Sequence, residues 1–307
     1  MENNITIKQH YVPKFYLANF ANNSNKLTGY NLEKEKFFPC YPKDICYEKE
    51  LYETKCDYVN NNTGNYVLLN SIEKEFSAKE SAYSNLLKQI IKICLNKNNT
   101  NALVCRSNEK RLLCDFVTNM LLRNPWMIQA NKVDLTQGNI TIPDDDPAYN
   151  FCINFVGEKN RSSLIRDTQK RNFLSTRIEN GLHKQLCEIM FNMGITFLVT
   201  NETSFITSNF PVLVITENFE SQRIYRNFYI PIHPQCAILF CNYSKTYPSK
   251  NKIKYISTTD AYGFNSSYCD NVDDTVHTLY ANNDQCITRT LEYFDYQKKK
   301  SNYEHQL

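Results

Sequence analysis

The chain has 307 residues, of which 42% are hydrophobic and 22% charged, with 35 basic against 32 acidic side chains for a formal charge of +3. A chain of this length and composition can bury a sizeable core without disulfides or metals, and wholesale disorder is excluded. The near balance of charge gives no overall field for nucleic acid, though a local basic face stays compatible with one.

In chain order, Pro13 suits the first turn of a short apolar helix carrying Phe15, Tyr16, Leu17 and Phe20. The turn cluster Asn22–Asn25 ends it, and a hairpin is expected from Leu27–Leu32 and Lys36–Tyr41, with Glu33-Lys34-Glu35 at its tip. After an acidic, aromatic stretch at 47–52 and a polar loop at 60–65, the period becomes helical. Leu68, Leu69, Ile72 and Phe76 open an apolar face that Tyr83, Leu86, Leu87, Ile90, Ile91 and Leu95 continue. A second helix starts near Ser107 and breaks at Pro125. A loop is expected over 137–150, then a helical region over 159–193 that Gly194 caps and Gly181 interrupts. Short strands follow at 195–200, 204–206, 212–216, 225–232, 237–241 and 252–257, with a helix over 271–281 and a frayed tail from Lys298. This order predicts α+β architecture: an N-terminal hairpin, a central helical region and a C-terminal, mainly antiparallel sheet. One domain, 1–307, is expected, with parts at 1–66, 67–194 and 195–290.

Only 7 glycines occur, with neither a GxGxxG nor a GxxxxGK[ST] string, so the common ATP, GTP and dinucleotide enzymes are poor fits. Twelve cysteines are present without one CxxC pair, and no metal-ligand set is assigned from their spacing. They are expected to be free thiols in a reducing cytoplasm, since the opening residues lack a signal-peptide layout and no apolar run reaches membrane-spanning length. Neither a GxSxG elbow, HExxH nor an EF-hand loop is found, and no motif identifies a cofactor.

Among five histidines, His10 precedes Pro13 in an apolar setting, where a neutral imidazole suits a general base or a ligand, or simply bonds backbone at a helix start. His183 and Cys187 share one helix face four residues apart and read as packing. Glu73 and Glu80 project from one face two turns apart, with Glu80 at the edge of the apolar stripe, as an acid, base, ligand or ion-pair partner. Arg123 offers either a bidentate anion clamp or a bond to the carbonyls of its own helix. Thr207-Ser208-Asn209-Phe210-Pro211 crowds hydrogen-bonding groups into one stiff turn. Arg166, Lys170 and Arg177 share a helix face that reads as a solvated surface, with nucleic-acid contact the alternative.

Gln9-His10-Tyr11-Val12-Pro13-Lys14-Phe15-Tyr16-Leu17, with Asn19-Phe20 after it, resembles the opening motif of the domain-of-unknown-function 4238 family. Phe205-Ile206-Thr207-Ser208-Asn209-Phe210-Pro211 is similar to that family's second hallmark, a Thr-Ser-Asp-Asn-Pro turn, and Glu73, Glu80 and Arg123-Asn124-Pro125 match weaker signals between them. The resemblance implies a bacterial protein whose site groups His10, Glu80, Arg123 and Asn209, with Tyr11, Thr207 and Ser208 toward the substrate. Asn209 stands where the family has Asp, and Phe210 where it has Asn, so a carboxylate chemistry at that turn is missing here. The expected activity is hydrolysis of nucleic acid or a nucleotide in a toxin or phage-defence setting, with His, Glu and Arg as base, acid and anion clamp. Two non-catalytic readings stand beside it. One is a binding module reading bases or peptides through Tyr225, Phe228 and Tyr229; the other is a polar lock between His10 and the 207–211 turn.

Overall fold

The computed structural model of the chain describes residues 6–60, 64–96, 104–130, 161–175, 181–219, 222–241, 250–270 and 275–304. The expected loop at 137–150, Arg177 and the middle of the 60–65 loop lie outside them. The fold is mixed α+β.

The opening motif forms a strand, β1 (Lys8–His10), paired antiparallel with β4 (Tyr47–Lys49) so that His10 stands opposite Tyr47. Pro13, extended at φ −60°, leads into α1 (Lys14–Leu17), which buries Tyr16 and Leu17, and one 3-10 turn then buries Phe20. The hairpin is β2 (Leu27–Asn31) and β3 (Lys36–Cys40). Gly29 faces Phe38 across it, and a Cβ at Gly29 would meet that ring at 2.5 Å, so only glycine lets the ring lie flat there. A smaller hairpin joins β5 (Lys55–Asn60) to β6 (Gly64–Tyr66).

The helical region opens with α2 (Ser71–Leu95), whose Ile72, Phe76, Tyr83, Leu87, Ile90 and Cys94 form the buried stripe. Next come α3 (Ser107–Leu122) and α4 (Pro125–Ala130), the break falling at the expected proline. The stretch expected as one helical region contains two helices, α5 (Arg161–Leu174) and α6 (Leu182–Asn192). Gly181 is the N-cap of α6, and Gly194 is no cap: it opens β7 (Gly194–Val199), because Met193 is already extended.

A five-stranded sheet follows in the order β12-β7-β11-β10-β9, where β9 is Leu213–Phe219, β10 Gln222–His233, β11 Cys236–Cys241 and β12 Lys250–Tyr255. All pairs are antiparallel except β12 with β7. Every residue of β7 and β11 is buried, as expected of central strands covered on both faces, and α2 packs against β7, β10 and β11.

Two expectations for the last third are corrected. Residues 204–206 are not a strand; Thr207–Ser208 is, as β8. The helix expected over 271–281 is replaced by a strand, β13 (Thr278–Ala281), which pairs with β8 on one side and β2 on the other, giving a four-stranded sheet β3-β2-β13-β8. The helices lie either side of it, as α7 (Thr258–Asp270) and α8 (Asp284–Glu304), packed on each other. The tail is therefore helical through Glu304 rather than frayed from Lys298.

Among the described residues no helix is long and apolar enough to cross a membrane, and the eleven described cysteines are free thiols.

Candidate functional site

The opening motif is fixed from three sides. Gln9 is fully buried: its Nε2 donates to Glu53 Oε1 at 2.8 Å, and its Oε1 accepts from Tyr52 N at 2.7 Å. Glu53 Oε2 in turn accepts from Asn70 N at 3.0 Å, at the left-handed residue that starts α2. The motif is thus stitched to the entrance of the helix that carries Glu73 and Glu80. Burial holds the Glu53 carboxyl above its ordinary range, against the pull of those hydrogen bonds.

Arg123 lies at the end of α3 with 3% exposure. Its Nε donates to Tyr52 Oη at 3.1 Å, its Nη2 donates to the His10 carbonyl, and its Nη1 is 3.8 Å from Glu80 Oε1. The guanidinium also sits 4.6 Å from the centre of the Phe76 ring. A buried cation persists only when its donors are spent on nearby acceptors. Arg123 thus directs its donors to Tyr52 and the main chain of His10, inside the protein.

His10 is half-buried. Its Nε2 lies 3.2 Å from the Lys43 carbonyl oxygen, and its ring meets Tyr47 at 5.4 Å between centroids. A carbonyl only accepts, so Nε2 carries the hydrogen and Nδ1 keeps its lone pair. Desolvation lowers the imidazole pKa below 6.5; the Lys43 carbonyl opposes this, while the charges of Lys14, Arg123 and Lys8 add to it. Glu73 shares two of those neighbours, Arg123 and Lys14, and burial raises its carboxyl despite them; its Oε2 is buried with no hydrogen-bond partner. Tyr11, the next residue, is half-buried against Cys46, with its phenol held protonated mainly by burial and then by Cys46 and Glu48.

The 207–211 turn serves another purpose. Thr207 and Ser208 are fully buried; Thr207 Oγ1 bonds Tyr16 Oη at 2.8 Å, and Ser208 Oγ accepts from Phe210 N at 3.0 Å. Asn209 Oδ1 accepts from His277 N at 2.8 Å and Thr278 N at 3.0 Å, while its Nδ2 donates to Thr275 O at 2.9 Å. These side chains brace β8 against β13. The turn joins the opening motif through that Tyr16 bond and the end of α3 through Asn124, whose Nδ2 donates to the Asn209 carbonyl at 2.9 Å.

His10, Tyr11, Glu80 and Arg123 are therefore brought together, and Thr207, Ser208 and Asn209 are set apart from them. Gln9, Tyr52 and Glu53 were missed; Gln9 lies inside the quoted motif, whereas nothing in the spacing of Tyr52 and Glu53 marks them. Of the proposed aromatic reader, Phe228 and Tyr229 are buried, and the side chain of Tyr225 lies outside the described residues.

This architecture is that of an α+β protein in which the opening polar motif is tied by a buried arginine to the helical part. The chain belongs to the family described as protein of unknown function, DUF4238, which matches residues 8–284. Comparison with curated proteins and with solved structures finds no match.

Proposed function

We propose that the chain is a hydrolase of phosphodiester type acting on nucleic acid or a nucleotide, with His10 as its general base. The observation that carries this reading is the fixed tautomer of His10: the Lys43 carbonyl holds Nε2–H, and Nδ1 forms no hydrogen bond among the described residues. A neutral imidazole with a free lone pair takes a proton from water or a sugar hydroxyl. Lys8, Lys14 and Arg123 supply the positive field that favours a phosphate, and Lys8 lies 4.6 Å from the Tyr47 ring beside the histidine. The raised carboxyl of Glu73 suits it to give a proton to the leaving oxygen, and Glu80, at the more open edge, completes the acidic side. Two groups shifted in opposite senses beside the same cations form an acid–base pair. A toxin or phage-defence effector is the setting this chemistry fits.

The test is expression of wild type, His10→Ala and His10→Gln in a bacterial host, with growth and the integrity of total RNA and DNA followed. Gln keeps a donor for the Lys43 carbonyl but has no basic nitrogen. Degraded nucleic acid with wild type alone supports the assignment; identical behaviour of all three folded proteins overturns it.

A structural reading is favoured by one observation, the bond from Arg123 to the main chain of His10. In that reading the motif is a lock whose strength does not depend on the imidazole. Loss of the His10 ring then leaves the melting temperature and host growth unchanged, while loss of Arg123 lowers the melting temperature.

A further inference from the structure

We propose that Asp115, His183 and Cys187 form a binding site for a borderline transition-metal ion, Zn²⁺ in the first instance, with coordination positions open to the adjoining cavity. The site is separate from the His10 group. Helix α6 places His183 and Cys187 one turn apart on the same face, and α3 presents Asp115 from the facing helix. One ligand atom from each residue lies within 4.8 Å of the other two. Cys187 Sγ is 3.7 Å from His183 Nδ1, and His183 Nε2 is 3.4 Å from Asp115 Oδ1. With Nε2 as the ligating nitrogen, zinc bonds of about 2.0 Å to nitrogen and about 2.1 Å to a carboxylate oxygen at a tetrahedral angle put those two atoms roughly 3.4 Å apart, the spacing of Nε2 and Asp115 Oδ1.

Two further features indicate a ligand. His183 is 1% exposed, yet its Nε2 is buried without an aligned hydrogen bond, the approach of Asp115 notwithstanding. The carboxylate is held from behind, as metal-binding carboxylates are. Its Oδ2 accepts from Tyr83 Oη at 2.5 Å, Lys79 Nζ reaches both carboxylate oxygens, at 2.9 Å from Oδ2 and 3.2 Å from Oδ1, and Asn119 Nδ2 donates to the same Tyr83 oxygen at 2.6 Å. In front lies a cavity of about 800 Å³, lined by these ligands with Lys79, Arg111 and Glu188. Three protein ligands beside open space is the arrangement of zinc sites that keep a water or substrate position.

The same trio might be taken for a thiol nucleophile with a His–Asp relay, and the helix argues against it. Cys187 is in the middle of α6, so its own amide is bonded inside the helix and no main-chain donor is left for an oxyanion. A neutral imidazole is ready to ligate, and the metal would displace one proton from the thiol.

The test is Co²⁺ titration of the full-length protein, reading the thiolate-to-cobalt charge-transfer band in the near ultraviolet. One equivalent is expected, displaced by Zn²⁺, with the band abolished in Cys187→Ser and unchanged in Cys286→Ser. Tyr83→Phe should weaken binding roughly tenfold, as loss of an outer partner does. Independently of any variant, Zn²⁺ should protect Cys187 of the wild type from alkylation by iodoacetamide, read by peptide mass. Absence of the band in wild type, its survival in Cys187→Ser, or alkylation of Cys187 at the same rate with and without Zn²⁺ would each overturn the proposal.

Discussion

Arg123 carries a full charge into the interior and directs its donors to the main chain of residue 10 and the Tyr52 hydroxyl. Its replacement by alanine takes the Arg123 donors from the His10 carbonyl, which keeps only the 3.3 Å bond from Tyr52 Oη, and from that hydroxyl, and removes the cation from the Phe76 ring. A loss of about 3 kcal/mol is expected, measured as a fall in the denaturant midpoint. Asn209 is a second such residue. Asn209→Ala strands two amides, those of His277 and Thr278, and should cost about 2 kcal/mol in the same measurement, with host growth and nucleic-acid integrity as for wild type. The Asn in place of the family's Asp thus has a structural rationale: its Nδ2 donates to the Thr275 carbonyl, which a carboxylate cannot do.

At the level of elements, the opening helix is docked by one hydroxyl. Tyr16 Oη donates to the Pro231 carbonyl at 2.6 Å and bonds Thr207 Oγ1, so a single phenol joins α1, β8 and β10. Tyr16→Phe keeps the packing and removes both bonds; a loss of about 1–2 kcal/mol is expected in thermal or chemical unfolding. In the hairpin, Gly29→Ala forces the Phe38 ring off the strand. About 1 kcal/mol is expected, because Phe38 is only half-buried and can swing outward. The strongest local signals were legible: Pro125 ends one helix and starts the next, and the charged tip separates β2 from β3. One legible signal went unread. Ser257-Thr258-Thr259-Asp260 is a capping box, with Asp260 N bonded to Ser257 Oγ at 3.0 Å and Ser257 N to Asp260 Oδ2 at 3.1 Å, and it announces α7. Asn283 likewise receives Cys286 N at 3.1 Å at the start of α8.

For the molecule as a whole, buried ionisable groups set how stability follows pH. Desolvation is the chief cause lowering His10 and His233 below 6.5. The unfolded chain therefore takes up these protons first as pH falls, and the stability the neutral rings contribute is present above 6.5 and lost as pH drops through their folded values. Glu53, Glu73 and Asp167 are raised by burial from 4.5, 4.5 and 3.8, and act in the opposite sense: what they contribute is present below those values and lost as pH rises through the folded ones. The denaturant midpoint should accordingly fall between about pH 7.5 and 5.5, less steeply in a His10→Gln, His233→Gln double variant. Equal slopes in the two proteins would show that neither ring matters to that trend.

Local chemistry in the sequence determined the main helices and the β2–β3 hairpin of the first two thirds, because apolar period, proline and turn clusters act over a few residues, whereas β1, β4, β5 and β6 were not legible in it. The family resemblance, rather than local chemistry, grouped His10, Glu80 and Arg123, and the fold sets Arg123 against the main chain of His10 and 3.8 Å from Glu80. Tertiary structure alone decided what each does there. The turn at 207–209 became a brace because β13 arrives from seventy residues away to use its hydrogen bonds, which also overrode the helix expected over 271–281. Arg123 became a tie because the chain brings Tyr52 and the main chain of His10 within reach of its donors. His183 and Cys187 were visible as one helix face, but Asp115 meets them only when α3 packs on α6. Long-range pairing of this kind leaves no local period to read, since the partners are chosen by packing and by the need to satisfy every buried polar group.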